Sequence, residues 1–497
     1  MTTRLALVDG AAPETLGASS LDARGRLEAL FDPGSFEVLR SEVASRGGRR
    51  SQPGDGLVAG GGTVDGRPVF AFAQDASFAG GSLGAAQAES IVRLMRMAAA
   101  ANAPIVAFVE SAGARIDEGI PALAGYGQIF REQVQLSGWV PQIAVVCGSS
   151  AGGGAYSPAL CDFVVMTPQA RLFLTGPGVV REVMGEDVGA DELGGPDVHS
   201  RNGVCHLVAD GDGHAVELAR ALLSFIAPGE GAAAARAAHA SAAAPPRRDA
   251  AVDPAGLVPV DGRKVYDVRG VIAALADHGE TLELAPRWAR NMVTALGRID
   301  GRPVGFVANQ PRVLGGVIDA DASQKAARFV RTCNVFGLPL VVLVDTPGFL
   351  PGTRQERAGV IRHGSKLLYA FSEATVPRFT VVLRKAYGGG YITMNSHGLG
   401  ADLVLAWPGA QIGVVGAEQA VGILERREIA AAADPVAERA RRAAAYGERH
   451  LTAAVAAGSG FVDEVVAPAQ TRSRLRWALK TIGSTQRRGV DRGNVPL

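Results

Sequence analysis

The chain has 497 residues, 50 basic against 49 acidic side chains, and 47% hydrophobic with 20% charged residues. That length predicts two or more domains, and the apolar content excludes a disordered chain. A net charge of +1 argues against a nucleic-acid groove or a polybasic membrane surface.

The opening segment MTTRLALVDGAAPETLG has no sustained apolar stretch, so no signal peptide is expected. Apolar runs such as Pro104 to Val109 are too short to cross a bilayer. Cys147, Cys161, Cys205 and Cys333 show no CxxC spacing and read as buried small hydrophobes in a reducing compartment. The eight histidines form no HxH or HExxH pattern, so no metal is expected. The reading is a soluble, cytoplasmic protein.

In chain order, short β-branched apolar segments alternate with longer helical patterns. Ile105 to Val109, Ile143 to Val146, Phe163 to Met166 and Leu340 to Val344 read as strands. Ala86 to Ala101, Gln324 to Phe336 and Val360 to Phe371 read as helices, and Glu428 to Arg449 as one further helix. Strands apolar on both faces suit burial between helices, which predicts an α/β class with largely parallel strands. Gly229 to Pro254, rich in Ala, Pro and Gly, reads as a linker. It divides the chain into domains 1–245 and 246–497.

The two domains repeat each other. Val64-Asp65-Gly66-Arg67-Pro68-Val69 returns as Ile299-Asp300-Gly301-Arg302-Pro303-Val304, an offset of 235 from Asp65 to Asp300. The strand ending Glu110-Ser111-Ala112-Gly113 returns as Asp345-Thr346-Pro347-Gly348 at the same offset. Gly152-Gly153-Gly154 lines up with Gly388-Gly389-Gly390, and Asp162 to Pro168 with Asp402 to Pro408. With Val140-Pro141 matching Val376-Pro377, five landmarks keep one order, so the chain is two copies of one fold.

In each copy an apolar strand runs into the glycine cluster. A strand–glycine–helix junction leaves first-turn N–H groups unpaired, with the positive end of the helix dipole behind them. Without Cβ atoms a ligand can come close. The chemistry this fits is an oxyanion hole, two N–H groups aimed at a carbonyl oxygen that gains charge. A single Gly-Gly-Gly is more often a tight turn, but two at equivalent positions weaken that reading. Ser111 lacks a GxSxG elbow and a histidine partner, so it reads as a turn or cap hydroxyl. Arg115, Arg384 and Lys385 are candidates for phosphate contacts, and His363 and His397 are placed near the second cluster without the pattern of a general base.

Longer motifs then resemble a known family. Leu21 to Phe36, Gly80-Gly-Ser-Leu-Gly84, Gly113-Ala-Arg-Ile-Asp-Glu-Gly119 and Gly185 to Gly195 in the first half are similar to stretches of the carboxyltransferase (β) subunits of propionyl-CoA and acetyl-CoA carboxylases. So are Asp345 to Gly352, Ile361 to Lys366, Glu373 to Pro377, Arg384 to Gly389 and Gly493 to Leu497 in the second. The resemblance implies a tandem duplication of a crotonase-like spiral domain, in a homo-hexamer or mixed β hexamer with sites between the N-half of one subunit and the C-half of another. It implies carboxyl transfer from carboxybiotin to the α-carbon of a short-chain acyl-CoA. Gly152 and Gly153 would hold the thioester oxygen, and Gly389 and Gly390 the ureido oxygen of biotin. Gly80, Gly81, Ser111, Gly113, Arg115, Tyr156 and Ile392 would line the acyl-CoA side. Gly348, Phe349, Tyr387 and Gly388 would line the biotin side.

The biotin is expected on a partner α subunit with biotin carboxylase and carrier functions, since no Ala/Val-Met-Lys-Met motif occurs here. The chain departs from the family pattern at Gly148-Ser149-Ser150, where Gly-Pro-Cys is usual, and at Gly154 and Gly390, where alanine is usual. Ile392 stands where propionyl-type members carry aspartate, which points to a substrate range beyond propionyl-CoA. The same fold would serve a decarboxylase or transcarboxylase subunit, and the altered cluster residues leave room for a non-catalytic β subunit.

Overall fold

The computed structural model describes residues 20–45, 51–226, 253–482 and 493–494. Each half is built on an eight-stranded sheet. The first contains β1 (Glu37–Leu39), β2 (Leu57–Val64), β3 (Arg67–Gln74), β4 (Ile105–Ser111), β5 (Gln142–Ala151), β6 (Phe163–Met166), β7 (Arg171–Phe173) and β8 (Leu207–Val208). The second contains β9 (Thr281–Leu284), β10 (Met292–Ile299), β11 (Arg302–Asn309), β12 (Leu340–Thr346), β13 (Arg378–Tyr387), β14 (Leu403–Ala406), β15 (Gln411–Gly413) and β16 (Glu464–Val465). The orders are β1-β2-β3-β4-β5-β6-β8 with β7 on β5, and β9-β10-β11-β12-β13-β14-β16 with β15 on β13. From β3 and from β11 onward every pairing is parallel. This is the expected α/β class, and the expected duplication.

The repeat extends to irregularities. Both sheets break register at the same place, between Val109 and Ser111 and between Val344 and Thr346. The helices Ala85–Ala100 and Ala320–Val335 also stand 235 residues apart. The second starts four residues before its predicted Gln324, because the Asp319 carboxylate caps it by accepting the Ala322 N–H at 2.8 Å. Phe163 to Met166 is a strand as predicted, and Val360–Glu373 a helix that runs two residues beyond its predicted end.

One expectation changes. The single helix read from Glu428 to Arg449 is two, Arg426–Ala430 and Pro435–His450. Proline kinks or breaks a helix interior but suits the first turn, and Asp434 caps the new start by accepting the N–H groups of Val436 and Ala437. The linker and the boundary near 245 lie outside the described residues except for Asp253 and Pro254, which open the turn Pro254–Leu257.

The halves share one core. Phe163, Leu207, Ile143, Phe329, Val330 and Cys333 belong to the same buried cluster. Polar bonds sew its rim: Arg328 donates to the Cys161 carbonyl at 3.1 Å, and the Ala285 N–H to the His206 carbonyl at 2.8 Å. The Asn494 amide donates to Asp162 and Thr332 at 2.7 and 3.1 Å, bridging the halves.

His206 sits in this seam, its Nδ1 accepting the Val164 N–H at 3.0 Å and its ring 6.0 Å from that of Phe163. Burial pushes its pKa down to about 3. The folded state therefore keeps it neutral while the unfolded chain takes a proton near pH 6.5. Stability from this group is present above that pH and is lost as pH falls toward 3. His206→Gln is expected to be less stable than wild type at pH 7. In urea titrations that deficit should shrink by about 1 kcal/mol between pH 6 and pH 5; a constant deficit contradicts the neutral buried ring.

Candidate active site

At the end of β5 the chain turns at Gly152, with φ 59° and ψ −124°, a conformation that side chains with a Cβ avoid. The helix Gly153–Leu160 starts at once. The Gly152 N–H donates to the Phe173 carbonyl of β7 at 3.1 Å, and the Ala155 N–H to the Gly152 carbonyl at 3.0 Å. Among the described residues nothing accepts the N–H groups of Gly153 or Gly154. Of the expected donor pair Gly152 and Gly153, the Gly152 N–H is thus engaged by β7, which leaves Gly153 and its neighbour Gly154 unengaged.

The turn is closely lined. A Cβ on Gly153 would meet the Tyr126 ring at 2.6 Å, and one on Gly154 the Ser150 Oγ at 2.6 Å. Both positions need glycine for space rather than for φ.

The second turn repeats the first. β13 ends at Tyr387, Gly388 has φ 54°, and the helix Gly388–Thr393 follows. A Cβ on Gly390 would meet the Gly348 Cα at 2.8 Å, whereas one on Gly389 would lie 3.5 Å from the Phe349 ring, an ordinary contact. No backbone bond among the described residues takes up the Gly389 or Gly390 N–H. Tyr387 turns its side chain away, its hydroxyl donating to Gln411 of β15 and its ring lying against Gly416. Burial and the nearby Asp345 push that phenol up to about 12.

Loops from neighbouring strands complete each site. Gly80 and Gly81 have φ of 64° and 68° in the turn Ala79–Gly81, and the Ala112 N–H donates to the Gly80 carbonyl at 3.0 Å. The Leu83 N–H then donates to the Gly113 carbonyl at 2.8 Å, so the two loops run laced side by side. Ser111 is fully buried. Its Oγ accepts the Gly113 N–H at 3.2 Å and lies 3.3 Å from the Tyr126 hydroxyl, which is the work of a turn hydroxyl. Tyr156 and Ile392 occupy equivalent places after the turns and are both about half exposed, at 52% and 49%.

The arginines have a different place from the one expected. Arg115 is buried, with Nη1 2.7 Å from both Asp55 and Glu118, and its guanidinium covers the Phe78 ring. Arg384 pairs with Asp345 at 2.8 Å, donates to the carbonyls of Asp261 and Lys264 at 3.0 and 2.8 Å, and stacks on Tyr266. Charges this deep need partners inside the protein, so both brace loops and neither is placed for a phosphate. The Lys385 Nζ donates to the Gly262 carbonyl at 3.1 Å. His363 is buried beside Arg362, and burial together with Lys366 and Arg362 lowers its pKa. His397 lies in the turn His397–Leu399, past the second cluster.

All four cysteines are free and buried, and burial raises each thiol, Cys161 and Cys205 to about 12. Among the described residues no group of three or more His, Cys, Asp or Glu is arranged to hold a metal ion. Two residues of the site escaped the sequence reading. Gly154 was visible as the third glycine of its cluster. Tyr126 gave no local signal, since it is one buried aromatic on the helix Ile120–Leu136.

Paired backbone N–H groups at duplicated strand–helix turns define a class of enzyme that stabilises charge developing on substrate oxygens. The chain belongs to the carboxyl transferase family, whose domain matches residues 18–492, and it is a biotin-dependent acyl-CoA carboxyltransferase of crotonase-like fold. It is 48% identical over 484 residues to the methylmalonyl-CoA carboxyltransferase 12S subunit of Propionibacterium freudenreichii subsp. shermanii, covering 95% of this chain and 91% of that protein. It is 44% identical to the methylmalonyl-CoA decarboxylase subunit alpha of Veillonella parvula, covering 96% and 93%. A biotin-dependent acetyl-/propionyl-coenzyme A carboxylase beta5 subunit of Mycobacterium tuberculosis is also 44% identical, over 96% and 90%. The crystal structure of transcarboxylase 12S, a hexamer with methylmalonyl-coenzyme A and methylmalonic acid bound, superposes with a TM-score of 0.88 at 47% identity, over 95% of this chain and 91% of that one.

The brace role of the arginines has a direct consequence. Arg115→Gln and Arg384→Gln each leave a buried carboxylate short of its partner, and each should cost about 3–5 kcal/mol in urea unfolding. Coenzyme A affinity measured by calorimetry should stay unchanged in whichever variant remains folded. Loss of affinity at full stability would return these side chains to the ligand.

Proposed function

We propose that the chain moves a carboxyl group between carboxybiotin, carried on a separate protein, and the α-carbon of a short-chain acyl-CoA, with a range extending beyond propionyl-CoA. The observation that carries this reading is the pair of unengaged N–H groups at each turn, Gly153 with Gly154 and Gly389 with Gly390. The first pair would hold the thioester oxygen as it takes on enolate charge, and the second the ureido oxygen of biotin. Phe349, half-buried against Gly389, gives the second turn an apolar wall that suits a flat bicyclic ring. Carboxybiotin supplies the carboxyl group and the base for the α-proton. The protein positions both partners and stabilises charge through fixed dipoles, which agrees with the positions of His363 and the thiols.

Each half also presents bare apolar residues at matching positions. Leu123, Tyr156, Leu174, Val183 and Met184 are exposed in the first half. Their equivalents Ile361, Ile392, Val414, Ile423 and Leu424 are exposed in the second. The helix Pro177–Met184 has no buried residue. Faces of this kind mark protein contacts, and docking the first face of one copy on the second face of another would bring the two kinds of turn together. We therefore read the assembly as a hexamer joined through such contacts, like the transcarboxylase 12S core, served by a biotin-bearing α subunit. No helix among the described residues is long and apolar enough to cross a membrane, and the free cysteines accord with a cytoplasmic setting. A relative that is a decarboxylase subunit, 44% identical, keeps transfer in the opposite direction as a second reading.

The test is carboxylation of acetyl-, propionyl- and butyryl-CoA by the purified protein with carboxylated biotin carrier. Gly389→Pro removes one N–H where a Cβ has room, whereas Gly154→Pro removes one on the other side at a cost in stability, because a Cβ there would press on the Ser150 Oγ at 2.6 Å. Each is expected to lower kcat by on the order of 10²–10³-fold; Gly389→Pro should melt as wild type does, and Gly154→Pro is measured on protein that stays folded and assembled. A wild type that forms no carboxylated product but releases CO2 from malonyl- or methylmalonyl-CoA favours the decarboxylase. One inert in both directions is a structural subunit.

A further inference from the structure

We propose that the ring of Tyr126 is a positioning residue for the acyl-side hole, a part that Phe349 plays from a non-equivalent position in the other half. This rests on the reading of Gly153 and Gly154 as that hole.

The ring lies directly beneath the turn. A Cβ on Gly153 would meet the Tyr126 Cγ, Cδ2 and Cδ1 at 2.6, 2.8 and 2.9 Å. The backbone of the first hole therefore rests on an aromatic face, and the ring fixes how far Gly153 can sink toward the core. The ring is itself held, because Tyr126 is 5% exposed and its hydroxyl lies 3.3 Å from the Ser111 Oγ. Through that Oγ it joins the Gly113 N–H, so floor and neighbouring loop form one unit.

The duplication supplies an internal control. Burial along the helix Ile120–Leu136 repeats along Val360–Glu373 at an offset of 238: residues 122–134 match residues 360–372 in classes of buried and exposed apart from one half-exposed position. That alignment places Gly364 opposite Tyr126, where the second half has no ring. The isolated bridges Leu83 with Ala114 and Ile318 with Phe349 align Ala114 with Phe349. The Phe349 ring fills the gap. It lies 3.5 Å from a Cβ built on Gly389 and 3.1 Å from one built on Gly364. One half pairs tyrosine with alanine, the other glycine with phenylalanine, and each ends with one ring under its glycine turn. Two independent solutions to one packing need argue that the ring is required by the hole.

The experiment compares Tyr126→Phe, Tyr126→Leu, Tyr126→Gly and the double variant Ala114→Phe/Tyr126→Gly in the assembled enzyme with carboxylated carrier. Tyr126→Phe keeps the ring but drops the hydroxyl that ties it to Ser111, and should lower kcat no more than a few-fold. Tyr126→Leu fills the space without a flat floor and should lower kcat by on the order of 10–100-fold with KM for acyl-CoA little changed. The double variant, which rebuilds the second half's arrangement in the first, should regain most of what Tyr126→Gly loses. The proposal is overturned if Tyr126→Leu turns over like Tyr126→Phe, if the loss is confined to KM or follows melting temperature alone, or if the double variant is no better than Tyr126→Gly. Inert wild type instead overturns the carboxyltransfer reading itself, and this inference with it.

Discussion

Everything in this protein that resembles chemistry depends on a left-handed glycine at the end of a buried parallel strand. Gly152 with φ 59° and Gly388 with φ 54° let the chain leave β5 and β13 and enter a helix with no intervening loop. A β-carbon at either place would meet a steric penalty. The turn is held on the strand side, since β7 and β15 pair with the last residues of β5 and β13. Fixed on that side and blocked beneath by packed side chains, the first-turn N–H groups can only face outward. A pre-aimed backbone dipole pays no reorganisation when charge appears on an oxygen in front of it.

The duplication shows what such a turn requires, because the halves agree in backbone and differ in side chains. Glu110 and Asp345 occupy the same place at the ends of β4 and β12. Glu110 is neutralised by Arg26 of the helix Ala23–Leu30 at 3.0 Å, with Asp212 sharing the guanidinium at 3.1 Å. Asp345 is neutralised by Arg384 of β13, at 2.8 Å. Position 148, which corresponds to Arg384, is glycine, and a Cβ there would strike the Glu110 carboxylate. An acidic group behind the turn is kept while its counter-ion has moved from a strand to a helix. Burial without a partner would cost several kcal/mol, so the arginines that invite a phosphate reading are counter-ions first.

The sequence made the architecture legible because local signals carried it. Continuous apolar runs gave the strands, equal offsets gave the duplication, and strand–glycine–helix junctions gave the turns. The fine assignment was hidden by long-range pairing. That Gly152 is occupied depends on β7, which returns some 20 residues later to meet β5. That Arg115 is a brace depends on Asp55, sixty residues earlier in the chain. Tyr126 lies on a helix whose amphipathic pattern reads as ordinary core. The break before Pro435 was written locally in Asp434-Pro435, and the surrounding alanine-rich composition concealed it.

The proposed carboxyl transfer requires that a working site join the first turn of one copy to the second turn of another. The direct measurement mixes two inactive proteins, Gly154→Pro and Gly389→Pro, after dissociation and reassembly with carboxylated carrier and acyl-CoA. Random mixing should restore about a quarter of wild-type turnover, since a site needs an intact turn from each contributing copy. No recovery from a mixture that has reassembled would mean that both turns of a site belong to one chain, and would contradict the account.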